Sequence, residues 1–270
     1  PSYAIDTACS SSLLAMDQAL AAIRNGLCDA AVVGGCNLCL KPSTSLQFQK
    51  LNMLSPDGTC KSFDVTGNGY CRSEAVVAIY IQKETKAKRI YATVVHSKNN
   101  SDGNKKEGIT FPSGEVQKKL LKEVYSEANV DPAIVSYVEA HGTGTKAGDP
   151  QEVNSIVDVF CKGRTGPLLI GSTKSNMGHP EPASGLAALA KILVAIQEGQ
   201  IPANLHFNEP NTDIPALADG RLKVISENTA WNGGYIGINS FGFGGSNVHV
   251  LLRSFNKDLR EPHPASQSLR

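Results

Sequence analysis

The stretch YAIDTACSSSLLAMDQAL, residues 3–20, places Cys9 between a short apolar run and a run of helical periodicity. Apolar residues recur at spacings of three or four from Leu13 to Leu27, which predicts a helix over residues 12–27, and the run at 2–5 predicts a strand before it. A thiol at the start of a helix faces unpaired N–H groups and the positive end of the helix dipole, and both favour the reactive thiolate. A small buried hydrophobe is the commoner role of a free cysteine, so this junction alone leaves both interpretations open.

Beyond this junction, short apolar runs alternate with amphipathic stretches. The pattern predicts further helices at 115–129, 150–160 and 184–198, and strands at 28–34, 74–82, 90–95, 134–140, 168–171, 235–239 and 248–252. Residues 41–73 are predicted as loop with short helical pieces, and residues 97–114 as a polar excursion. Alternating helices and nearly continuous apolar strands indicate α/β architecture, with buried sheets covered by helices on both faces.

The composition excludes several classes of protein. The chain has 270 residues, of which 41% are hydrophobic, enough for one large domain or two smaller ones. A net charge of +1 with only short basic clusters argues against a nucleic-acid partner. No apolar run reaches the ~18 residues that a membrane span needs, and no secretory signal is present. The chain does not begin with Met and opens inside a predicted strand, so we expect a fragment of a longer polypeptide.

The cysteines indicate a reducing compartment. There are seven, an odd number, and Cys28, Cys36 and Cys39 stand in or beside apolar runs, so we expect buried thiols in a cytoplasmic protein and no disulfide framework. Cys36 and Cys39 have CxxC spacing, but no second pair stands at a matching distance and no histidine is near in sequence. We therefore predict no metal site there.

Two histidines follow predicted strands. His141 begins HGTGTKAGDP (141–150) after one strand, and His179 ends KSNMGH (174–179) after the next. Open α/β sheets place ligand sites at the carboxyl ends of their strands. A single loop histidine is more often a surface residue, but two of them with Cys9 at the end of a third strand form a nucleophile pattern.

A glycine-rich stretch, SFGFGGSN (240–247), lies near the end of the chain. Gly242, Gly244 and Gly245 permit positive φ and exposed backbone N–H groups, as an oxyanion hole requires. A predicted strand follows the glycines, and no helix does, so a dinucleotide-binding loop is rejected.

Taken together, DTACSSS (6–12), HGTGT (141–145), KSNMGH (174–179) and GFGG (242–245) resemble in order and spacing the signatures of β-ketoacyl synthases. These are the condensing enzymes of fatty acid and polyketide synthesis, which have the thiolase fold. The stretches HGTGTKAGDPQE and KSNMGHPEPASGLAALAK resemble the animal-type multifunctional fatty acid synthases. Modular polyketide synthases more often have Pro where this chain has Lys146 and Leu where it has Pro180, and a polyketide ketosynthase is the alternative.

The resemblance implies a fold of two similar α/β halves, with mixed sheets and buried helices stacked as five layers, usually in a homodimer. Residues 1–83 match the end of the N-terminal half, which carries the nucleophile, and residues 84–255 match the C-terminal half. Residues 256–270 would begin a linker. The first part of the N-terminal half is missing, so we expect this piece alone to be inactive.

The resemblance also implies a reaction. Cys9 would take an acyl chain from an acyl carrier protein as a thioester and condense it with malonyl-carrier protein, with loss of CO₂, to give a chain two carbons longer. His141 and His179 would donate hydrogen bonds to the malonyl thioester oxygen, and Lys174 would orient His179. Backbone N–H groups of Cys9 and Phe243 would hold the thioester oxyanion.

Further expectations concern ligands. Phe243 would gate the acyl pocket, and Thr143 and Thr145 would contact the phosphopantetheine arm of the carrier. The resemblance implies no metal and no bound cofactor here, with NADPH serving only other domains of the full chain. A degradative thiolase is disfavoured because no cysteine follows Cys161 near the glycine-rich stretch. A non-catalytic domain is disfavoured because the nucleophile and both histidines are present.

Overall fold

The structure, a computed structural model, describes residues 1–255. Its helices are α1 (Ser11–Arg24), α2 (Pro42–Lys50), α3 (Gly114–Ala128), α4 (Gly148–Phe160), α5 (Lys174–Met177), α6 (Ser184–Glu198) and α7 (Pro215–Ala218). Its strands are β1 (Ala30–Asn37), β2 (Ala75–Gln82), β3 (Ala92–Ser101), β4 (Val135–Glu139), β5 (Leu168–Gly171), β6 (Gln200–Ile201), β7 (Leu222–Val224), β8 (Thr229–Ala230), β9 (Tyr235–Phe241) and β10 (Ser246–Ser254). Single 3₁₀ turns lie at Glu84–Lys86, Pro132–Ile134 and Glu181–Ala183.

A six-stranded mixed sheet forms the centre, in the order β3-β10-β9-β4-β5-β7. Strands β3, β10 and β9 pair antiparallel, whereas β9, β4, β5 and β7 pair parallel. The carboxyl ends of β9, β4 and β5 therefore meet at one edge of the sheet. This edge carries the glycine-rich stretch and both histidine motifs.

A second sheet pairs β1 with β2 in antiparallel fashion, and helices α1 and α6 lie between it and the central sheet. The two helices bury Leu13, Met16, Leu186 and Ile192 against both sheets. On its outer face the small sheet exposes apolar side chains, among them Val32, Val76 and Tyr80.

Helices α3 and α4 cover the other face of the central sheet. Their apolar sides, represented by Leu120, Val124, Ile156 and Phe160, are buried in a second core with residues of the sheet. The described residues thus form four stacked layers, and the predicted α/β architecture with helices on both faces of a buried sheet is confirmed.

The opening strand predicted at residues 2–5 is wrong. Residues 1–6 have no strand partner, and a strand forms only where a neighbour supplies a ladder of hydrogen bonds. The chain turns instead, because the Asp6 carboxylate accepts the Ala8 N–H at 3.0 Å. Helix α1 also ends earlier than predicted, at Arg24, because Gly26 turns left-handed with φ 72° and the Leu27 N–H bonds back to Ala22.

Strand β3 is longer than predicted and includes the polar residues 97–101. Ser97 and Asn99 donate to the Asp17 carboxylate on α1 at 2.6 and 2.8 Å, and Lys98 reaches Glu123 on α3 at 3.1 Å. Because these partners lie far away in sequence, the local pattern does not show that the polar residues are paired. Residues 97–101 were therefore predicted as part of a loop.

The remaining differences concern short elements. Helix α2 lies within the region predicted as loop with short helical pieces and has no buried residue. Strands β6, β7 and β8 have only two or three residues, too few to show a periodicity. The predicted linker at 256–270 lies outside the described residues. Among residues 1–255, no helix is both long and apolar enough to cross a membrane.

Candidate active site

Three parallel strands end beside one another and deliver the predicted site residues. His141 follows the end of β4, Lys174 and His179 follow the end of β5, and Phe243 follows the end of β9. Cys9 reaches the same place from the start of α1 in the buried helical layer. The predicted convergence of the thiol and the two imidazoles is therefore present in the structure.

Cys9 is buried, with 9% of its surface exposed, and its Sγ lies 3.1 Å from His179 Nε2. The preceding residue, Ala8, has φ 56°, a left-handed conformation that is strained for a residue with a side chain. The carbonyl of Cys9 accepts hydrogen bonds from the hydroxyls of Ser184, at 3.1 Å, and Ser240, at 2.7 Å. These contacts keep the nucleophile segment in its strained turn.

Burial decides the protonation of Cys9. Burial raises the pKa of the Cys9 thiol to about 11, and the nearby charge of Lys174 only partly opposes this rise. The backbone N–H groups of Phe243 and Cys9 also bond to the sulfur and favour the thiolate, but less than burial disfavours it. The backbone donors at the helix terminus favour the thiolate, as expected, but burial outweighs them and the resting group is a thiol.

The three serines after Cys9 lie where N-cap residues are usual. Ser10, at the N-cap, makes no side-chain capping bond. The Ser11 hydroxyl instead accepts the Thr7 N–H at 2.9 Å, and the Ser12 hydroxyl accepts the Leu186 N–H at 3.2 Å. The serines thus shape the turn before the helix and fasten α1 to α6.

His141 is held as a neutral hydrogen-bond donor. The Phe241 N–H donates to its Nδ1 at 3.4 Å, so the ring proton lies on Nε2. Burial, followed by the charges of Lys174 and His179, lowers the pKa of His141 well below its ordinary value. The ring therefore presents one N–H at neutral pH.

His179 is fixed mainly through its backbone. Its N–H donates to the Cys71 carbonyl at 2.6 Å, and its carbonyl accepts from the Ser73 N–H at 3.0 Å. The ring packs edge-on against Tyr70, with centroids 5.0 Å apart. Burial, followed by the charges of Lys174 and Arg72, lowers the pKa of His179 well below its ordinary value, and within residues 1–255 its Nδ1 has no partner. In residues 1–255 the ring's polar contact is that of Nε2 with the Cys9 sulfur, and because a thiol can donate or accept, this contact allows either tautomer.

The ligating atoms of Cys9, His141 and His179 lie within 4.8 Å of one another, the one such group of metal-binding side chains in the part of the chain described. A metal would need a lone pair from each ring, but Phe241 already occupies the Nδ1 lone pair of His141. The site therefore favours an oxygen that accepts a hydrogen bond.

The CxxC pair lies elsewhere, and Cys36 is exposed, so the prediction that Cys36 is a buried thiol is wrong.

Lys174 is almost completely buried, with 2% of its surface exposed. Burial lowers its pKa, and the carboxylates of Glu139 and Glu152 oppose this. Its charge lowers the pKa of both histidines and of Cys9. The action of Lys174 on His179 that the structure gives is electrostatic, and the expected role of Lys174 in orienting the ring stays a prediction.

Buried carboxylates that the sequence analysis did not single out hold the His141 loop. Glu152 accepts the N–H of His141 at 2.6 Å and of Gly142 at 2.8 Å, and Asp149 accepts the N–H of Gly144 at 3.1 Å. Both acids lie in the HGTGTKAGDPQE motif, in which only the histidine and the two threonines were predicted to have a role.

A cavity of about 490 Å³ leads to the nucleophile and is lined by Cys9, both histidines, Thr143, Thr145 and Phe243. The two threonine hydroxyls lie 3.0 Å apart. Phe243 is 36% exposed and meets Phe48 of α2 edge-on, with centroids 6.3 Å apart. The structure therefore places the predicted gate and arm-contacting residues along one cleft.

Of the three glycines in the glycine-rich turn, Gly245 has the positive φ that glycine permits, at 96°, and Gly242 and Gly244 do not. Gly242 is required for space, because a Cβ there would lie 2.4 Å from the Thr7 carbonyl oxygen. Asp102 anchors the turn: its N–H donates to the Gly245 carbonyl at 2.8 Å, and its carboxylate accepts from Asn247 at 2.7 Å. This anchor was missed because it lies in the predicted polar excursion.

Comparisons with known proteins agree with this geometry. Residues 1–87 match the family model for the β-ketoacyl synthase N-terminal domain, residues 91–208 that for the C-terminal domain, and residues 210–270 that for the ketoacyl-synthetase C-terminal extension. The chain is 62% identical over 199 residues to a fatty acid synthase from Anser anser anser, covering 74% of this chain and 56% of that protein. It is 44% identical over 266 residues to a highly reducing polyketide synthase from Alternaria alternata, covering 96% of this chain and 10% of that protein.

Solved structures show the same architecture. The ketosynthase from module 6 of the Bacillus subtilis bacillaene synthase superposes with a TM-score of 0.90 at 35% identity, covering 93% of this chain and 46% of that one. A Streptomyces albus oxazolomycin ketosynthase domain also gives a TM-score of 0.90, at 37% identity, covering 95% of this chain and 47% of that one. The predicted thiolase-like fold is confirmed, and the chain spans about half the length of these ketosynthases.

Proposed function

Because the chain belongs to the β-ketoacyl synthase family, we propose that it carries the condensing activity of a fatty acid synthase. The observation that supports this most is the meeting of Cys9, His141 and His179, with their reactive atoms within 4.8 Å of one another at the end of a cleft. A thiol beside one imidazole can form a thioester, and a second imidazole that donates a hydrogen bond can stabilise an enolate.

The first step is acyl transfer to Cys9. Its pKa of about 11 means that a proton must leave as the sulfur attacks, and His179 Nε2, at 3.1 Å, is placed to accept it. The sulfur bonds to the acyl carbonyl carbon while backbone N–H groups of Cys9 and Phe243 hold the oxyanion. The carrier thiol then leaves and takes the proton from His179.

The second step is decarboxylation of the malonyl thioester. As CO₂ leaves, the electron pair of the broken C–C bond moves toward the thioester oxygen, which gains negative charge. His141 donates its Nε2 proton as a hydrogen bond to that oxygen. His179 can donate beside it, because its Nδ1 has no partner in the described residues and the ring can adopt either tautomer.

The third step is condensation. The enolate carbon attacks the thioester carbonyl carbon on Cys9, the new C–C bond forms, and the C–S bond breaks to return the sulfur as a thiolate. That thiolate takes one proton from water, the proton that the overall reaction consumes, and the product is a 3-ketoacyl thioester two carbons longer. The same two N–H groups stabilise the oxyanion in this step as in the first.

The choice of fatty acid over polyketide synthesis rests on similarity. Identity to the Anser fatty acid synthase is 62%, against 44% for the Alternaria polyketide synthase. The polyketide ketosynthase remains a second candidate, because the solved relatives are ketosynthases of bacillaene and oxazolomycin synthesis. Product analysis of the full-length protein supplied with malonyl thioester and NADPH separates the two: fully reduced straight chains support a fatty acid synthase, and retained keto or hydroxyl groups support a polyketide synthase.

The proposed partners follow from the reaction. Acyl and malonyl groups arrive on the phosphopantetheine arm of an acyl carrier protein, with Thr143 and Thr145 contacting the arm in the cleft. The domain binds no cofactor of its own, acts in the cytoplasm and pairs as a homodimer, and NADPH serves other domains. We place the boundary between the two halves at residues 84–90, which is supported by family models that end at 87 and begin at 91.

The test measures the half-reactions separately in the full-length protein. Cys9→Ala should abolish acyl loading but leave CO₂ release from malonyl-carrier protein measurable. His141→Ala should lower CO₂ release by about 10²- to 10³-fold and change loading only a fewfold, because the variant lacks an oxyanion donor. His179→Ala should lower both. Normal acyl loading in Cys9→Ala would overturn the assignment of the nucleophile.

A further inference from the structure

We infer that Asn239 and His249 are positioning residues for His141, acting through Glu152; the catalytic readouts of this inference rest on the function proposed above. Asn239 donates from Nδ2 to Glu152 Oε1 at 2.8 Å, and its Oδ1 lies 2.6 Å from His249 Nδ1. The same Glu152 oxygen accepts the His141 N–H at 2.6 Å. A continuous line of hydrogen bonds thus joins strand β10 to the backbone of a proposed catalytic residue.

The direction of each bond in this line follows from its acidic end. The Glu152 carboxylate accepts three N–H groups, so Asn239 must turn its NH₂ toward it and its oxygen toward His249. Nδ1 of His249 must then carry the proton and donate it. Nε2 is left as an acceptor, and the Tyr125 hydroxyl lies 3.2 Å from it. One arrangement of protons satisfies every member.

The line lies away from water. Tyr125, Glu152, Asn239 and His249 are all buried, with between 0 and 3% of their surfaces exposed. Burial lowers the pKa of His249 to about 3, so its ring is neutral and has one donor and one acceptor. A buried network with every group satisfied is rigid, because any rotation leaves a polar atom without a partner.

The line is built to position His141. An amide nitrogen does not readily pass a proton, so Asn239 makes a proton path from Tyr125 to the active site implausible. Two residues beyond Asn239 on β9, the Phe241 N–H binds Nδ1 of His141. Strand β9 therefore holds the His141 ring through the Phe241 N–H, and it holds the His141 backbone through Asn239 and Glu152.

The loop needs such support because it is cramped. Gly142 has φ 44°, and a Cβ there would lie 2.7 Å from the Ser172 Cβ. Glu152 holds the N–H groups of both His141 and Gly142, and any shift of its carboxylate moves the ring against the substrate oxygen. A misplacement of about 1 Å at a catalytic group can cost on the order of 10² in rate.

The experiment compares two substitutions of His249 in the full-length protein. His249→Asn keeps an N–H near the position of Nδ1 and can still donate to Asn239, whereas His249→Leu cannot. Both leave the Tyr125 hydroxyl without its acceptor, so both should lower the melting temperature, and His249→Leu should lower it more because it also leaves the Asn239 Oδ1 without a donor. We expect His249→Leu to reduce CO₂ release from malonyl-carrier protein by about 10- to 100-fold, and His249→Asn to stay within about threefold of the unchanged protein.

Asn239→Leu should behave as His249→Leu does, because it breaks the line one step closer to Glu152. Acyl loading of Cys9 should stay within about threefold in every variant, since neither residue contacts the thiol. Equal losses in His249→Leu and His249→Asn, or losses in loading that match those in CO₂ release, would show a merely structural role and overturn the inference. If the unchanged protein neither loads Cys9 nor releases CO₂, the proposed function fails; if it does both and His249→Leu decarboxylates normally, the inference alone fails.

Discussion

The Nε2 of His179 lies 3.1 Å from the Sγ of Cys9, a contact between residues 170 positions apart in the chain. Burial raises the pKa of this thiol to about 11, so the contact joins a protonated sulfur to a neutral imidazole. The pair is thus a thiol beside an unprotonated general base, and not a thiolate–imidazolium ion pair. Its reactivity therefore depends on proton removal during attack.

The first prediction concerns the alkylation of Cys9. Because its pKa is raised to about 11, its rate of reaction with iodoacetamide should keep rising with pH beyond the range where an ordinary thiol, with a pKa near 8.5, has levelled off. Peptide mapping of the labelled full-length protein measures this. At pH 7 the exposed Cys36 should react faster than Cys9 with this small reagent, whereas an acyl-thioester mimic should label Cys9. A Cys9 rate that levels off below pH 8 would show that the thiolate prevails.

The second prediction concerns the glycine-rich turn. Gly242→Ala should reduce acyl loading by at least about 10²-fold, because its Cβ would collide with the Thr7 carbonyl oxygen and displace the Phe243 N–H from the oxyanion. Gly244→Ala is the matched control, since a Cβ there meets nothing within 4 Å, and it should stay within about threefold. The measurement is the rate of thioester formation at Cys9. Similar losses in both variants would indicate that mobility of the turn matters, and close approach at Gly242 does not.

The third prediction concerns Lys174. Its charge lowers the pKa of Cys9, so Lys174→Met, which keeps the length of the side chain and removes the charge, should move the pH dependence of Cys9 alkylation upward. Loading at pH 7 should fall by about tenfold, because a higher pKa leaves less of the thiol as the attacking thiolate. The exposed Lys162 offers a control, Lys162→Met, which should leave the profile in place. An unchanged profile in Lys174→Met would contradict the electrostatic role.

The fourth prediction concerns Asp149 and stability. Burial raises the pKa of this carboxyl from 3.8 to about 7, so the folded protein holds its proton more tightly than the unfolded chain does. Its contribution to stability is therefore complete below pH 3.8 and is lost as pH rises from 3.8 to about 7, by no more than about 4 kcal/mol. Denaturant unfolding from pH 4 to 8 should show this decline.

The Asp149→Asn variant should lack that component of the decline, whatever its absolute stability. The exposed Asp213 provides the control, because Asp213→Asn should keep the pH dependence of the unchanged protein. Parallel declines in the unchanged protein and in Asp149→Asn would show that Asp149 is not the titrating group.

The sequence identified the long elements and the chemical groups well. Helix α6 and strand β5 have the predicted bounds, because each carries a dense apolar pattern that reports its own burial. Strand β3 and helix α2 were harder to predict. The polar half of β3 is stabilised by acids on α1 and α3, and α2 has no buried face to reveal it.

Cys9, His141 and His179 could be named from the sequence because each stands in a motif at an element boundary, where side chains and backbone groups face a common edge. Asp102 and His249 could not. Asp102 stands in a stretch that resembles a loop, and His249 lies inside an apolar strand. Each gains its role from partners on other elements, Asn247 for Asp102 and Asn239 and Tyr125 for His249.

The sequence by itself indicated Cys9, His141 and His179 as the candidate site residues, and it indicated that both histidines follow strands whose carboxyl ends meet at one edge of the sheet. Both indications follow from local pattern and from the rules of α/β sheets. Only the tertiary structure decided their protonation. Cys9 is a thiol because burial outweighs the opposing charge of Lys174. His141 presents its Nε2 proton because burial and Lys174 keep the ring neutral and the Phe241 N–H occupies its Nδ1. The pKa of a buried group depends on all the residues packed around it, and a local sequence motif contains only some of them.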